Sequence, residues 1–251
     1  MNNSNPLYTN FSQLCHSFYR MYFPHNKIAH IIDSHLKKYN CKSIVFFGGL
    51  IHVAKILREK GYKITFVDYT KEMLTEAKKT LNNTDFIISD MRSLNLDEKQ
   101  DAIILMGRIF TYLHTDKDVQ KTLTAFKNNL NPGGIILIDN YETGKIDTGN
   151  YFNGIIELKE NNHILRRISS IVQKEEHPAL YNWSCIYEDI HNTTRKTCTD
   201  KNHILRAFTK EEIKKQIEHS GLKFIENTPN FEKISFITIA QKIDIKPKPN
   251  I

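Results

Sequence analysis

Two carboxylates and a pair of glycines stand where a nucleoside could be gripped. Gly48-Gly49 follows the apolar run Ser43–Phe47, Asp68 closes the run Lys63–Val67, and Ser89-Asp90-Met91 follows Phe86–Ile88. Glycine lets backbone approach a ligand without interference from a Cβ. Asp68 lies twenty residues after Gly48, a separation at which a carboxylate can accept both hydroxyls of a ribose. Asp90 can accept from an adenine amino group while Met91 packs on the ring. Each of these also has an ordinary reading, as a turn, a helix cap or a solvated loop acid. Taken together, three successive strand ends outline an adenosine site.

The surrounding pattern can position such a site. A helix is expected over 27–39, with Ile28, Ile31, Ile32 and Leu36 at helical spacing. The run Ser43–Phe47 has no polar alternation, which suits a strand covered on both faces of a parallel sheet. Further helices are expected over 52–60, 70–81 and 116–130, and further strands over 63–68, 86–89, 102–106 and 135–139. Asn131-Pro132-Gly133-Gly134 reads as a turn before the last of these. Strands alternating with helices at this pace give βαβ units and a doubly wound, mostly parallel α/β sheet. From about Tyr151 to Arg206 the rhythm changes to strand-like stretches (155–158, 164–172, 181–187) without helices, which fits an antiparallel insertion. Thr209-x-x-Glu212 is a capping box that opens a helix ending at Gly221. Strands over 222–226 and 234–240 bring the main sheet to seven.

Lys63–Lys78 resembles the second strand and following helix of class I S-adenosylmethionine (SAM) methyltransferases. Ser89–Leu94 resembles their adenine-binding segment, and Leu130–Gly134 the turn before their fifth strand. The likeness covers about residues 27–140. The stretch His203-x-Leu205-Arg206-x-Phe208-Thr209-x-Glu211-Glu212 is similar to a subgroup that methylates small amines, including aminosugar N,N-dimethyltransferases and glycine/sarcosine methyltransferases. The resemblance implies a Rossmann-like fold with an antiparallel substrate cover, SAM as cofactor and a small-molecule acceptor, an amine before a hydroxyl. It divides the chain into a lid segment at 1–26, a core at 27–145, a cover at 146–207, the rest of the core at 208–243 and a disordered tail at 244–251. The cofactor set it implies is Phe47, Gly48, Gly49, Asp68, Tyr69, Met73, Asp90, Met91, Met106 and Gly107.

One motif departs from the family. Its first motif reads approximately Asp-x-Gly-x-Gly-x-Gly. With Gly49 on the middle glycine, Val45 takes the acid position, Phe47 the first glycine and Ile51 the last. Val45 cannot hydrogen-bond, and side chains at 47 and 51 are expected to crowd the approach. On the acceptor side the candidates are Tyr112 and His114 as catalytic groups that orient or deprotonate the acceptor, with Tyr19, Arg108, Phe110, Tyr181 and Trp183 as substrate-binding residues. Each has a plainer reading in packing or at the surface, as do the N-terminal aromatics Tyr8, Phe11, Tyr19 and Tyr22. Two alternatives stay open: a non-catalytic partner protein with this fold, or a SAM-using enzyme whose displacement releases methylthioadenosine.

Composition narrows the field. The chain has 251 residues, 40% hydrophobic and 25% charged, the range of an ordinary globular protein. Its four cysteines lack CxxC spacing, so neither a zinc ribbon nor a disulfide framework is expected. The N-terminal stretch MNNSNPLYTN has no signal-peptide pattern, and no apolar run reaches the ~20 residues of a membrane span; a cytoplasmic protein is expected. The net charge of +7 comes from basic pairs dispersed among acids, unlike a nucleic-acid footprint on one face. Met106–Phe110 also lacks the Asn/Asp-Pro-Pro-aromatic motif that grips a flipped base. Nucleic acid is therefore not an expected partner; a second copy, forming a homodimer, is.

Overall fold

The computed structural model describes residues 6–146 and 151–243; the tail expected to be disordered lies outside them. Two helices, α1 (Ser12–Tyr22) and α2 (His25–Lys38), precede the sheet. The alternation then runs β1 (Ser43–Phe47), α3 (Ile51–Glu59), β2 (Lys63–Asp68), α4 (Lys71–Thr80), β3 (Asp85–Ile88), β4 (Gln100–Leu105), α5 (Asp116–Asn129) and β5 (Leu130–Tyr141). A second sheet follows: β6 (Gly154–Glu160), β7 (His163–Glu175), β8 (Leu180–His191) and β9 (Thr194–Arg206). The chain returns through α6 (Lys210–His219) to β10 (Lys223–Pro229) and β11 (Ser235–Gln241).

The main sheet has seven strands in the order β10-β11-β5-β4-β1-β2-β3. The pairs among β1 to β5 are parallel, and β11 is inserted antiparallel between β5 and β10. The unalternating apolar runs have the cause the sequence implied. Ile44 and Phe46 face one core cluster with α2 and α3, whereas Val45 and Phe47 face another with α5 and α6. Four strands change direction of progress at β1: β2 and β3 lie to one side, β4 and β5 to the other. A ligand crevice is expected at such a switch point, beyond the carboxyl ends of the strands.

Thr70 caps α4 by accepting from Met73 N, Thr115 caps α5, and Thr209 with Glu212 forms the capping box of α6. Two expectations need correction. Asn131–Gly134 is no free turn but the bulged start of β5, where the pairing jumps from Gln100–Leu130 to Ala102–Ile135. The insertion has a fourth strand, β9, whose Thr-Arg-Lys-Thr-Cys-Thr-Asp-Lys opening carries too little apolar alternation to announce one. The insertion lays its inner face on α1 and the strand ends of the main sheet, through a cluster that includes Phe18, Tyr141, Phe152, Trp183 and Tyr187. Among the described residues no helix is long and apolar enough to cross a membrane.

Candidate active site

A cavity of about 730 Å³ opens over the carboxyl ends of β1, β2 and β3, within the size range of cofactor sites. Its floor is Phe47, Gly48 and Gly49, and its sides carry Asp68, Tyr69, Met73, Asp90 and Met91. The two glycines are required by contact. Gly48 has φ +85, and a Cβ on it would lie 3.0 Å from the Ile109 side chain. On Gly49 a Cβ would meet the Tyr19 ring at 3.0 Å. Phe47 lines the floor without plugging the crevice: its ring tilts onto Phe126, 5.5 Å between centroids. Ile51 is buried in the α2–α3 core, and Val45 pairs between Thr65 and Ile103.

Asp68 accepts from the Thr70 amide at 2.8 Å and the Thr70 hydroxyl at 2.9 Å. Burial outweighs these bonds and pushes its carboxyl up to about 6. A carboxylate held this dry gains from hydroxyl donors. Asp90 caps a short 3-10 turn and is gripped by Arg92 through its amide and guanidinium, at 2.5–3.1 Å. The arginine outweighs burial and holds that carboxyl below its usual range.

Facing this floor, α1 and the segment before it bring Tyr8 and Tyr19 to the cavity, where Tyr112 meets them. The Tyr8 hydroxyl lies 2.7 Å from that of Tyr112 and 3.3 Å from that of Tyr19. Burial raises all three phenols, so each keeps its proton near neutrality. Tyr112 can therefore orient a ligand but is a poor base. His114 donates from Nε2 to the Ile204 carbonyl at 2.9 Å, and burial lowers its pKa, so the neutral ring carries its lone pair on Nδ1.

The cavity wall also contains a pair that the sequence reading did not single out. His203 donates from Nδ1 to Asp200 at 2.9 Å, and its ring stacks on Tyr112 at 5.0 Å and 13°. Strict alternation would put residues three apart on opposite faces of β9. The β8–β9 register slips between Trp183 and Cys185, so that Asp200 and His203 both turn inward. A bulge of this kind leaves no compositional trace.

Other expected site residues lie off the cavity. Met106 is a core residue and Phe110 packs on Phe208. Gly107 and Arg108 donate their amides to Asp139. The Arg108 guanidinium pairs with Glu232 inside a box of Phe23, Tyr141, Tyr151 and Phe231. Its carboxylate partner thus comes from its own chain and not from a substrate. Trp183 stacks on Tyr151 and under Arg167, and Tyr181 is 3% exposed in the same cluster. These residues join the insertion to the core.

Residues 48–134 match the family model of a methyltransferase domain. Over that stretch the chain resembles a methyltransferase domain. It is 26% identical over 179 residues to a putative methyltransferase, YqeM, of Bacillus subtilis, covering 70% of each chain. It is 37% identical over 106 residues to a glycine/sarcosine N-methyltransferase of Halorhodospira halochloris, but that match spans only 39% of either protein. A solved SAM-dependent methyltransferase from Clostridium acetobutylicum superposes with a TM-score of 0.75 at 17% identity, over 94% of this chain and 99% of that one. The likeness in fold thus extends through the insertion.

The cavity has the volume for a nucleoside and offers Asp68 as a dry acceptor, while the chain's own Ile109 and Tyr19 pack against the two glycines. The acid position of the first motif is held by Val45, buried in the sheet, and Tyr8, Tyr19 and Tyr112 line the same cavity as the two glycines.

Proposed function

We propose that this methyltransferase methylates an amine nitrogen on a small molecule, and that the Asp200–His203 pair accepts the proton the amine gives up. The observation that carries this reading is the single cavity joining the Asp68 end to that pair. SAM supplies an electrophilic methyl group, which passes to nitrogen as the carbon–sulfur bond breaks. At neutral pH most amines are protonated and have no lone pair to offer. Asp200 accepts the His203 Nδ1–H, which sets the tautomer with the lone pair on Nε2, the atom that takes the proton from the ammonium. Tyr112, stacked on His203 and bonded to Tyr8, keeps the ring in place. The rings of Tyr8, Tyr19 and Tyr112 with Ile109 line the region between the two ends and narrow the access of water to the transfer. The Halorhodospira relative, named for an amine substrate, agrees with this choice of acceptor.

The test is to incubate the protein with SAM and small amines, from glycine and sarcosine to aminosugars, and to follow S-adenosylhomocysteine and the methylated product by mass. Acceptor-dependent release is expected. His203→Gln should lower kcat/KM by ~10²–10⁴ and flatten its pH profile, with SAM affinity by calorimetry unchanged. Methylthioadenosine formed without an acceptor, or SAM binding with no turnover on any amine, would overturn the reading.

A further inference from the structure

The inner face of the insertion sheet ends, away from the cavity, in three metal-ligating side chains. His163 and His191 face each other across β7 and β8, and Asp189 lies two residues from His191 on the same face. The imidazoles stack at 3.8 Å and 15°. Both direct Nε2 at one oxygen, Asp189 Oδ1, at 2.8 Å from His163 and 3.3 Å from His191. All three ligand atoms fall within 4.8 Å of one another.

The surroundings make this a polar exception on a packed face. Continuing along the same face toward the cavity, Leu165, Arg167, Tyr187 and Cys185 are all buried. At the triad the face instead opens on a second cavity of about 450 Å³, walled opposite by His16 of α1 and Glu76 of α4. His163 and Asp189 are largely covered, with side-chain exposures of 17% and 21%, while His191 at 59% forms the rim. An ion can therefore reach the ligands, and because the two rings stack nearly parallel, the exposed His191 turns to bring its in-plane lone pair onto the ion held by the more covered His163 and Asp189.

We propose that His163, Asp189 and His191 bind a divalent transition metal ion, with zinc the fitting choice. Two imidazole nitrogens and one carboxylate oxygen suit a borderline ion and not the all-oxygen shells of magnesium or calcium. Ligands ~2.1 Å from a tetrahedral ion stand about 3.4 Å apart, close to the separations from Asp189. Binding takes the Nε2 lone pair of each ring, so each neutral imidazole adopts the tautomer with its proton on Nδ1. The fourth position opens on the cavity, to water. A metal here clamps the β7–β8 hairpin, which carries no residue of the active-site cavity, so the site is structural.

The test is calorimetry of the full chain, stripped with chelator, against zinc chloride, with cobalt substitution to read coordination from visible absorption. One ion per chain is expected, with a four-coordinate cobalt spectrum and no competition from excess magnesium. His163→Ala, Asp189→Asn and His191→Ala should each weaken zinc binding by more than tenfold, while His219→Ala, a solvated histidine on α6, should leave it unchanged. Circular dichroism and SAM binding verify that the variants fold. The rim variant His191→Ala keeps the test alive if the more covered positions do not tolerate change. Zinc binding that is absent, weaker than millimolar or indifferent to the three substitutions would overturn the site and leave a hydrogen-bonded His–Asp–His cluster.

Discussion

Asp68 is where charge, burial and ligand chemistry meet. Its folded pKa of about 6 is raised, chiefly by burial, above an unfolded value of about 3.9. A raised carboxyl contributes stability below its unfolded pKa and loses that contribution as pH rises through 6. The ionised form is thus a stability cost at pH 7, kept for what it can accept. Asp68→Asn is expected to raise the Tm of the cofactor-free protein at pH 7 and to weaken SAM binding there. In the parent chain the SAM dissociation constant should climb below pH 6, approaching about tenfold per pH unit, and Asp68→Asn should lose that dependence. Calorimetry from pH 5 to 8 reads both curves. A break that survived in the variant would belong to another group; Asp139, also held near 6 by burial, is the candidate.

At the scale of elements, the glycine turn and α1 are built against each other. Gly49→Ala places its Cβ against the Tyr19 ring edge, 3.0 and 3.1 Å away, with the Met73 methyl next at 3.6 Å. Overpacking of this kind costs about 1–3 kcal/mol, here by pushing α1 off the strand ends. The variant should lose that much in urea unfolding and bind SAM less tightly. Adding Tyr19→Leu should return most of the stability but not the affinity, a coupling that a double-mutant cycle measures. Such contacts also mark how far the sequence could be read. The βαβ alternation and its caps were legible because apolar runs, Thr caps and Gly ends are local signals. Asp68, Asp90 and the glycines were legible because strand ends are fixed by that alternation. Asp200 and His203 were not, because a register slip between β8 and β9 decides their facing. Arg108 and Trp183 look like ligand-binding residues in the sequence, yet they serve the aromatic packing between core and insertion, a long-range outcome that no local pattern encodes.

At the scale of the molecule, α1 latches the insertion to the core. It reaches the insertion through the Arg20–Glu160 pair and the edge contact of Phe18 on Tyr187. It reaches the core through a histidine stack: His16 lies 5.2 Å from His52, and His25 of α2 lies 5.2 Å from the same ring. Burial lowers all three histidines, and His52, with His16, His25, Arg20 and Lys55 adding repulsion, falls to about 4. Glu76 opposes the effect at His16, and Lys79 reinforces it. Below pH 6.5 the unfolded chain takes up protons on these rings that the folded chain refuses, so their contribution to stability falls as pH drops from 6.5 toward 4. Asp68 and Asp139 have the opposite sign over part of this range, since the folded state binds their protons first. The histidine contribution is therefore read as a difference between two proteins. His52→Phe keeps an aromatic ring in the stack and removes its charge. Solvent around the half-buried rings screens the effect to about 1 kcal/mol, or about 2–4 °C in a chain of this size. The Tm of His52→Phe minus that of the parent should rise by this amount between pH 7 and pH 4.5 in calorimetric scans. A difference that stays flat with pH would show that the stack takes up protons without strain and that acid does not loosen the latch.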